Sequence, residues 1–194
     1  MTSVSERFSE KFNGFVFVVA PLLFSLSTFY WQDGEYNVTG STLLVISMVF
    51  WVPVFFVLFA FLKLRMPVYY HVGLIAAMYG TVVGGTGFGY LGYFATVFNV
   101  QHEAYITTLS SYPVSSNVLL FQAGPLFPLS LLILGINLIR TKSLPSWLGF
   151  MIVAGAIAFP LSRIPRIEWL AHTADLLLSI PLFVLGYRFI KPKQ

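Results

Sequence analysis

Six long apolar runs decide what this chain can fold into. They occupy residues 14–31, 42–62, 70–98, 117–139, 147–161 and 167–189 and leave little sequence for a separate soluble domain. A helix needs about 20 mainly apolar residues to cross the hydrocarbon core of a bilayer, and all but the fifth run approach or exceed that length. Backbone polar groups find no partner in lipid, so such runs must form helices or a closed barrel; continuous rather than alternating apolar character selects helices. A chain that is 57% hydrophobic and only 9% charged, with a mean hydropathy of +0.82, carries more apolar surface than one soluble core can hide. The expected fold is an all-α polytopic membrane protein, a six-transmembrane-helix bundle forming a single domain over residues 1–194, with the lipid bilayer as its main partner.

Basic residues give the expected orientation. Arg7 and Lys11 precede the first run, Lys63 and Arg65 follow the second, Arg140 and Lys142 follow the fourth, and Arg188, Lys191 and Lys193 follow the sixth. Only Arg163 and Arg166 fall on the opposite side. The positive-inside rule then places both termini in the cytoplasm of a multi-pass protein. Basic residues spread over helix ends form no nucleic-acid face, so no nucleic-acid partner is expected. The absence of cysteine removes disulfides and thiolate metal sites. The first run lacks a small-residue cleavage pattern and ends in Tyr30 and Trp31, which read as an interface anchor, so it is kept as a span.

Along the chain, the first ten or so residues read as an interfacial helix or a frayed end. Pro21 and Pro53 can kink the first two spans. The acidic turn from Gln32 to Asn37 faces outward, and Asn37-Val38-Thr39 matches a glycosylation acceptor, a pattern of low specificity. The third run is long and carries Gly73, Gly80, Gly84, Gly85, Gly87, Gly89 and Gly92. These glycines suit tight packing at the centre of a bundle, or else a broken helix that lines a cavity. The stretch 99–116, holding His102, Glu103 and Tyr105, is expected to be a solvated loop or a lid.

The candidate chemistry sits between the last two runs, where Arg163, Arg166, Glu168, His172 and Asp175 follow one another in an otherwise oily chain. If Glu168 opens a helix, then Glu168, His172, Asp175 and Ser179 share an arc of about 60°. Asp175 would lie about 12 Å along that helix from Ile167, well into hydrocarbon. An ionisable group at that depth costs at least about 2.5 kcal/mol unless it is paired or hydrated, so a partner is required; His172, or Arg163 and Arg166 folding down from the loop, are the candidates. The alternative is a purely structural ion pair or a protonated acid holding spans together. Ser25, Thr28, Ser47, Thr86, Tyr90, Tyr93 and Gln122 are expected to converge at the same level. The site expected is an outward pocket with a His172/Asp175 floor, Arg163 and Arg166 at its rim, and Glu168, Tyr90, Tyr93 and Gln122 as further ligand-binding candidates.

Three function classes follow. A small amphipathic or anionic ligand, lipid or isoprenoid in character, could bind with its head on the arginines. An intramembrane enzyme could use Asp175 and His172 as acid and base. A small proton-coupled transporter or channel could relay protons through the same residues, and at this size it would call for a homo-oligomer. No mid-membrane lysine exists for a retinal Schiff base. A metal site would have to assemble Glu168, His172 and Asp175 with His102 or Glu103, so no metal or other cofactor is assigned.

From Gln122 to Gly186 the chain resembles a large family of bacterial six-span membrane proteins of unknown function. The likeness is carried by Gly124 to Phe127 (GPLF), Leu134-Gly135, Leu144-Pro145 followed by Trp147-Leu148-Gly149, and Phe159-Pro160. The resemblance implies a six-helix bundle in a bacterial inner membrane and implies no particular activity.

Overall fold

A computed structural model describes residues 4–191, leaving out the side chains of residues 4–6, 102 and 103. Lys193 therefore lies outside the described residues, as do the side chains of His102 and Glu103. Six helices are long and apolar enough to cross a membrane: Arg7–Thr28, Val38–Ala60, Pro67–Val97, Pro113–Arg140, Ser146–Arg163 and Glu168–Ile190. The elements in chain order are α1 (Val4–Thr28), the strands β1 (Trp31–Gln32) and β2 (Glu35–Tyr36), α2 (Val38–Ala60), α3 (Pro67–Met78), α4 (Thr86–Val97), α5 (His102–Ser110), the single turn α6 (Pro113–Ser116), α7 (Ala123–Arg140), α8 (Ser146–Arg163) and α9 (Glu168–Ile190). Each long helix packs against its sequence neighbours, and α9 packs back on α1, so the six close into a ring in chain order.

The centre of the ring is aromatic. Phe127 of α7 has ring centroids of Phe24, Trp51, Phe55 and Phe159 within 5.1 to 6.0 Å, so helices α1, α2, α7 and α8 meet on one side chain. Edge-to-face pairs such as Trp51 on Phe127, at 87°, satisfy the ring quadrupoles while filling space. Outside, apolar side chains such as Val68, Val72 and Ile75 on one face of α3, Phe150 on α8 and Leu176 on α9 are exposed.

The third helix is unbroken. Between α3 and α4 the chain runs through a π-helical stretch, Tyr79–Gly85, rather than an unwound one. A second π stretch, Asn117–Phe121, precedes α7, and the Tyr79 hydroxyl donates to the Val118 carbonyl at 2.5 Å to tie the two together. Small residues explain the contact: a Cβ on Gly84 would come within 2.5 Å of the Ala123 backbone, and one on Gly80 would collide with the Phe127 amide. Close backbone packing is thus what these two glycines permit.

Boundaries differ from the sequence reading at three places, each for a local reason. The helix α1 begins at Val4 because no glycine or proline interrupts it before Gly14, so the amino-terminal residues from 4 onward extend the first helix. The stretch 99–116 contains α5 and α6 rather than a plain loop. Asn99, with φ +50°, ends α4 in a Schellman cap whose Val100 and Asn99 amides donate to the Ala95 and Thr96 carbonyls, and a new helix starts after it. Pro160 does not end α8, which continues to Arg163, so that arginine stands on a helix and not in a loop. Asn37, read as a possible glycan acceptor, caps α2 by accepting from the Gly40 amide at 2.9 Å.

Gly84→Ala should destabilise the protein by about 1–3 kcal/mol, because the added methyl meets backbone that cannot move alone. Gly87→Ala should be far better tolerated, since its Cβ meets the end of the Leu120 side chain at 3.1 Å and the Leu119 carbonyl at 3.3 Å without colliding, and alanine favours the helix by up to about 1 kcal/mol. Thermal unfolding of both variants in detergent checks the pair.

Candidate functional site

At the end of the bundle that carries the hairpin, a cavity of about 330 Å³ lies between β1–β2 and the aromatic cluster. Phe24, Phe127 and Phe159 form its floor; Phe88, Leu91 and Ala95 on one face of α4 form a wall; and Trp31, Tyr36, Glu35 and Tyr105 surround its mouth. The hairpin is the unexpected part. Asp33 and Gly34, with φ of +52° and +85°, make a two-residue turn in which both residues adopt positive φ, pairing Trp31 with Tyr36 and Gln32 with Glu35. An Asp-Gly pair is a strong hairpin signal for that reason, and it is what the reading of this segment as a generic acidic turn overlooked. Trp31 is correspondingly no interface anchor: only 4% of it is exposed.

Trp31 is buried because it is one face of a cage around Arg163. The guanidinium carbon lies 4.3 Å from the Trp31 ring centroid, 5.4 Å from Phe159 and 5.6 Å from Tyr36. A planar, weakly hydrated guanidinium stacks on such faces at a lower desolvation cost than an ammonium would. Its Nη2 donates to the Thr28 hydroxyl at 2.7 Å and sits 3.9 Å from Asp175 Oδ1. Nε and Nη1 are buried without a hydrogen-bond partner among the described residues, and so are both Asp175 oxygens. The two charges therefore compensate each other at a distance, without the direct bidentate contact that would satisfy them.

The expected pairing of Asp175 with an arginine is present, and Glu168 opens α9, but the expected floor is not assembled. Asp175 and Ser179 turn into the bundle, where Ser179 shares a 3.0 Å hydroxyl contact with Ser25 of α1. His172 instead packs at a tilt against the exposed ring of Phe29, centroids 4.6 Å apart, and neither it nor Asp175 lines the cavity. The reason is angular: on a 100° helix His172 precedes Asp175 by three residues and falls on the edge of the buried arc facing α1's outer side.

Arg166 also leaves the rim. It ends the turn after α8 at φ +58°, where Ile167 donates to the Ser162 carbonyl, and its side chain packs on Gly34 while Nη1 donates to the Asp33 carbonyl at 3.0 Å. Glu168 accepts from the Asp33 amide at 3.3 Å, so both residues hold the hairpin down. Tyr90 stacks on Phe94 and Tyr93 meets it edge-on, and Gln122 is exposed next to cavity residues Gly124 and Pro125; none of the three lines the space. Ser47 donates to the Ala20 carbonyl at 2.8 Å and Thr86 to the Val82 carbonyl, which makes them internal rungs. Among the described residues, no group of three or more His, Asp or Glu side chains could hold a metal ion.

Tyr36 completes the polar corner. Burial pushes its phenol above the ordinary value of 10.0; the Arg163 charge pulls it down, and the Asp175 charge raises it again. It thus remains an uncharged hydroxyl, next to Ser27 and Thr28, across the neutral range.

Comparison of the chain with protein-family models, curated proteins and solved structures gives no match, so the site is interpreted from its own geometry.

Two measurements test this arrangement. Arg163→Met should cost about 3–5 kcal/mol by stranding the buried Asp175, whereas Arg163→Met with Asp175→Leu should recover most of the loss in the same thermal assay. Tyr36 binds its proton more tightly folded than unfolded, so its contribution is intact below about pH 10 and is lost as pH rises from there through the raised value. The wild-type Tm should therefore fall more steeply above that pH than the Tm of Tyr36→Phe.

Proposed function

We propose that the chain is a multi-pass integral membrane protein that binds an amphipathic, lipid-like molecule in the hairpin-end cavity. Six apolar helices with apolar side chains turned outward support the membrane reading. Lys63, Arg65, Arg140, Lys142, Arg188 and Lys191 gather at the loops and terminus of one end, so that end and both termini are cytoplasmic by the positive-inside rule, and the hairpin end faces outward. The family resemblance over residues 122–186 favours a bacterial inner membrane.

The observation that carries the binding reading is a mostly buried arginine, its side chain 14% exposed, in the lining of an apolar cavity, with two of its three side-chain nitrogens unpartnered among the described residues. Buried donors without acceptors are costly, and the cavity that Arg163 lines adjoins the residue that carries them. A volume of 330 Å³ is at the lower end for ligand sites and suits one slender molecule. Its body would lie on Phe24, Phe127 and Leu91, and its head would meet Arg163 and Tyr36. Asp175 and His172, the acid–base pair of the enzyme reading, do not line this cavity.

Extraction of the purified protein followed by mass spectrometry should release one class of amphiphile in near-stoichiometric amount. Leu91→Trp, which fills the cavity without touching Arg163, should fold and lose that molecule at least about tenfold. An unchanged lipid profile in Leu91→Trp would remove the cavity from consideration.

A further inference from the structure

Charges around the cavity narrow the kind of head it can take, an inference that rests on the lipid-binding reading above. Among the described residues, its lining holds a single cation, Arg163, and a single carboxylate, Glu35. Asp175 adds a second carboxylate 3.9 Å from the guanidinium and does not itself line the cavity. Of the other groups that face this corner, Thr28 and Tyr36 are hydroxyls, and Arg166 is drawn off to the Asp33 carbonyl outside the cavity. The arginine's countercharge is therefore already supplied by the protein.

We propose that the cavity takes an uncharged single-chain amphiphile with an oxygen head, a long-chain alcohol or ketone, and that Asp175 is the specificity-determining residue that excludes the corresponding acid. Nε and Nη1 of Arg163 can only donate, so what they lack is an acceptor, and a neutral oxygen supplies it. An incoming carboxylate would supply it too, yet it would be a second negative group on a guanidinium that Asp175 already faces at 3.9 Å, with Glu35 also in the cavity lining, in surroundings where like charges repel strongly. At about 30 Å³ for each methylene-sized group, the space holds on the order of ten such groups, which matches one chain and no second. Asp175 does this without touching the ligand: it acts through Arg163, by setting how much positive charge the guanidinium has to offer.

The test compares a matched set of brominated twelve-carbon probes, an alcohol, a methyl ketone and a carboxylate, in phosphatidylcholine nanodiscs at neutral pH. A Trp147→Phe/Trp169→Phe background leaves Trp31, in the cavity wall, and Trp51, beside its floor, as the fluorophores that bromine quenches. With concentrations expressed per lipid, the alcohol and ketone should quench saturably, and at least about tenfold more tightly than the carboxylate. Asp175→Asn should shrink or reverse that ratio, and Glu35→Gln, at the cavity mouth, should move it in the same direction if the first variant fails to fold. Equal or tighter binding of the carboxylate to the wild type, or a ratio unmoved by either variant, overturns the proposal while leaving lipid binding intact. Saturable quenching by none of the three probes overturns the binding reading itself.

Discussion

Everything at the hairpin end is arranged around one cation that is mostly buried among rings. Arg163 stands on the last turn of α8, with the rings of Trp31, Tyr36 and Phe159 around its guanidinium and Asp175 of α9 at 3.9 Å. These partners come from the hairpin, from α8 itself and from α9, and Thr28 adds α1, so the charge draws four parts of the chain into one cluster. A buried ion pair is weak evidence for net stability, because its desolvation cost offsets the attraction. What such a pair does well is enforce arrangement: if any partner moves, a charge or a donor is left exposed to oil.

Beneath that corner the bundle is held by shape. Phe127 gathers four aromatic neighbours from three helices, while Gly80 and Gly84 let the third helix press its backbone against α7. Above the π-helical stretch the third helix leans instead on α2 and the hairpin, as Gly89 against Val45 and Gly92 against Tyr36 show. Contact with α7 below and departure from it above create a wedge, and the cavity occupies the wedge. Gly80 and Gly84 thus fit the packing reading; the helix does not break as the other reading required, although Gly85 and Gly92 line the cavity.

The hairpin closes the wedge and is itself fastened at several points. Arg166 lies across Gly34, Glu168 accepts from the Asp33 amide, and Thr96 donates to the Tyr36 carbonyl at 3.2 Å. The two residues expected to bind a ligand at the rim, Arg166 and Glu168, therefore shape the mouth of the cavity from outside. Charged residues near an opening need not face into it; the backbone groups of a tight turn compete for them.

Sequence by itself determined the six helices, their lengths to within a turn at most ends, the helix start at Glu168, and the need for Asp175 to find a basic partner. Those follow from local quantities: apolar run length, the energetic cost of a charge in oil, and the 100° rotation that put Asp175 and Ser179 on one inward face. Tertiary structure alone decided which arginine became the partner, that His172 turned to Phe29, and that Trp31 left the interface to cover a cation. These depend on how the helices close into a ring and on a two-residue turn whose positive-φ geometry folds β1 back over the bundle. Helical period fixes which residues share a face, but only the neighbouring helix determines whether that face meets a cavity, a charge or another ring.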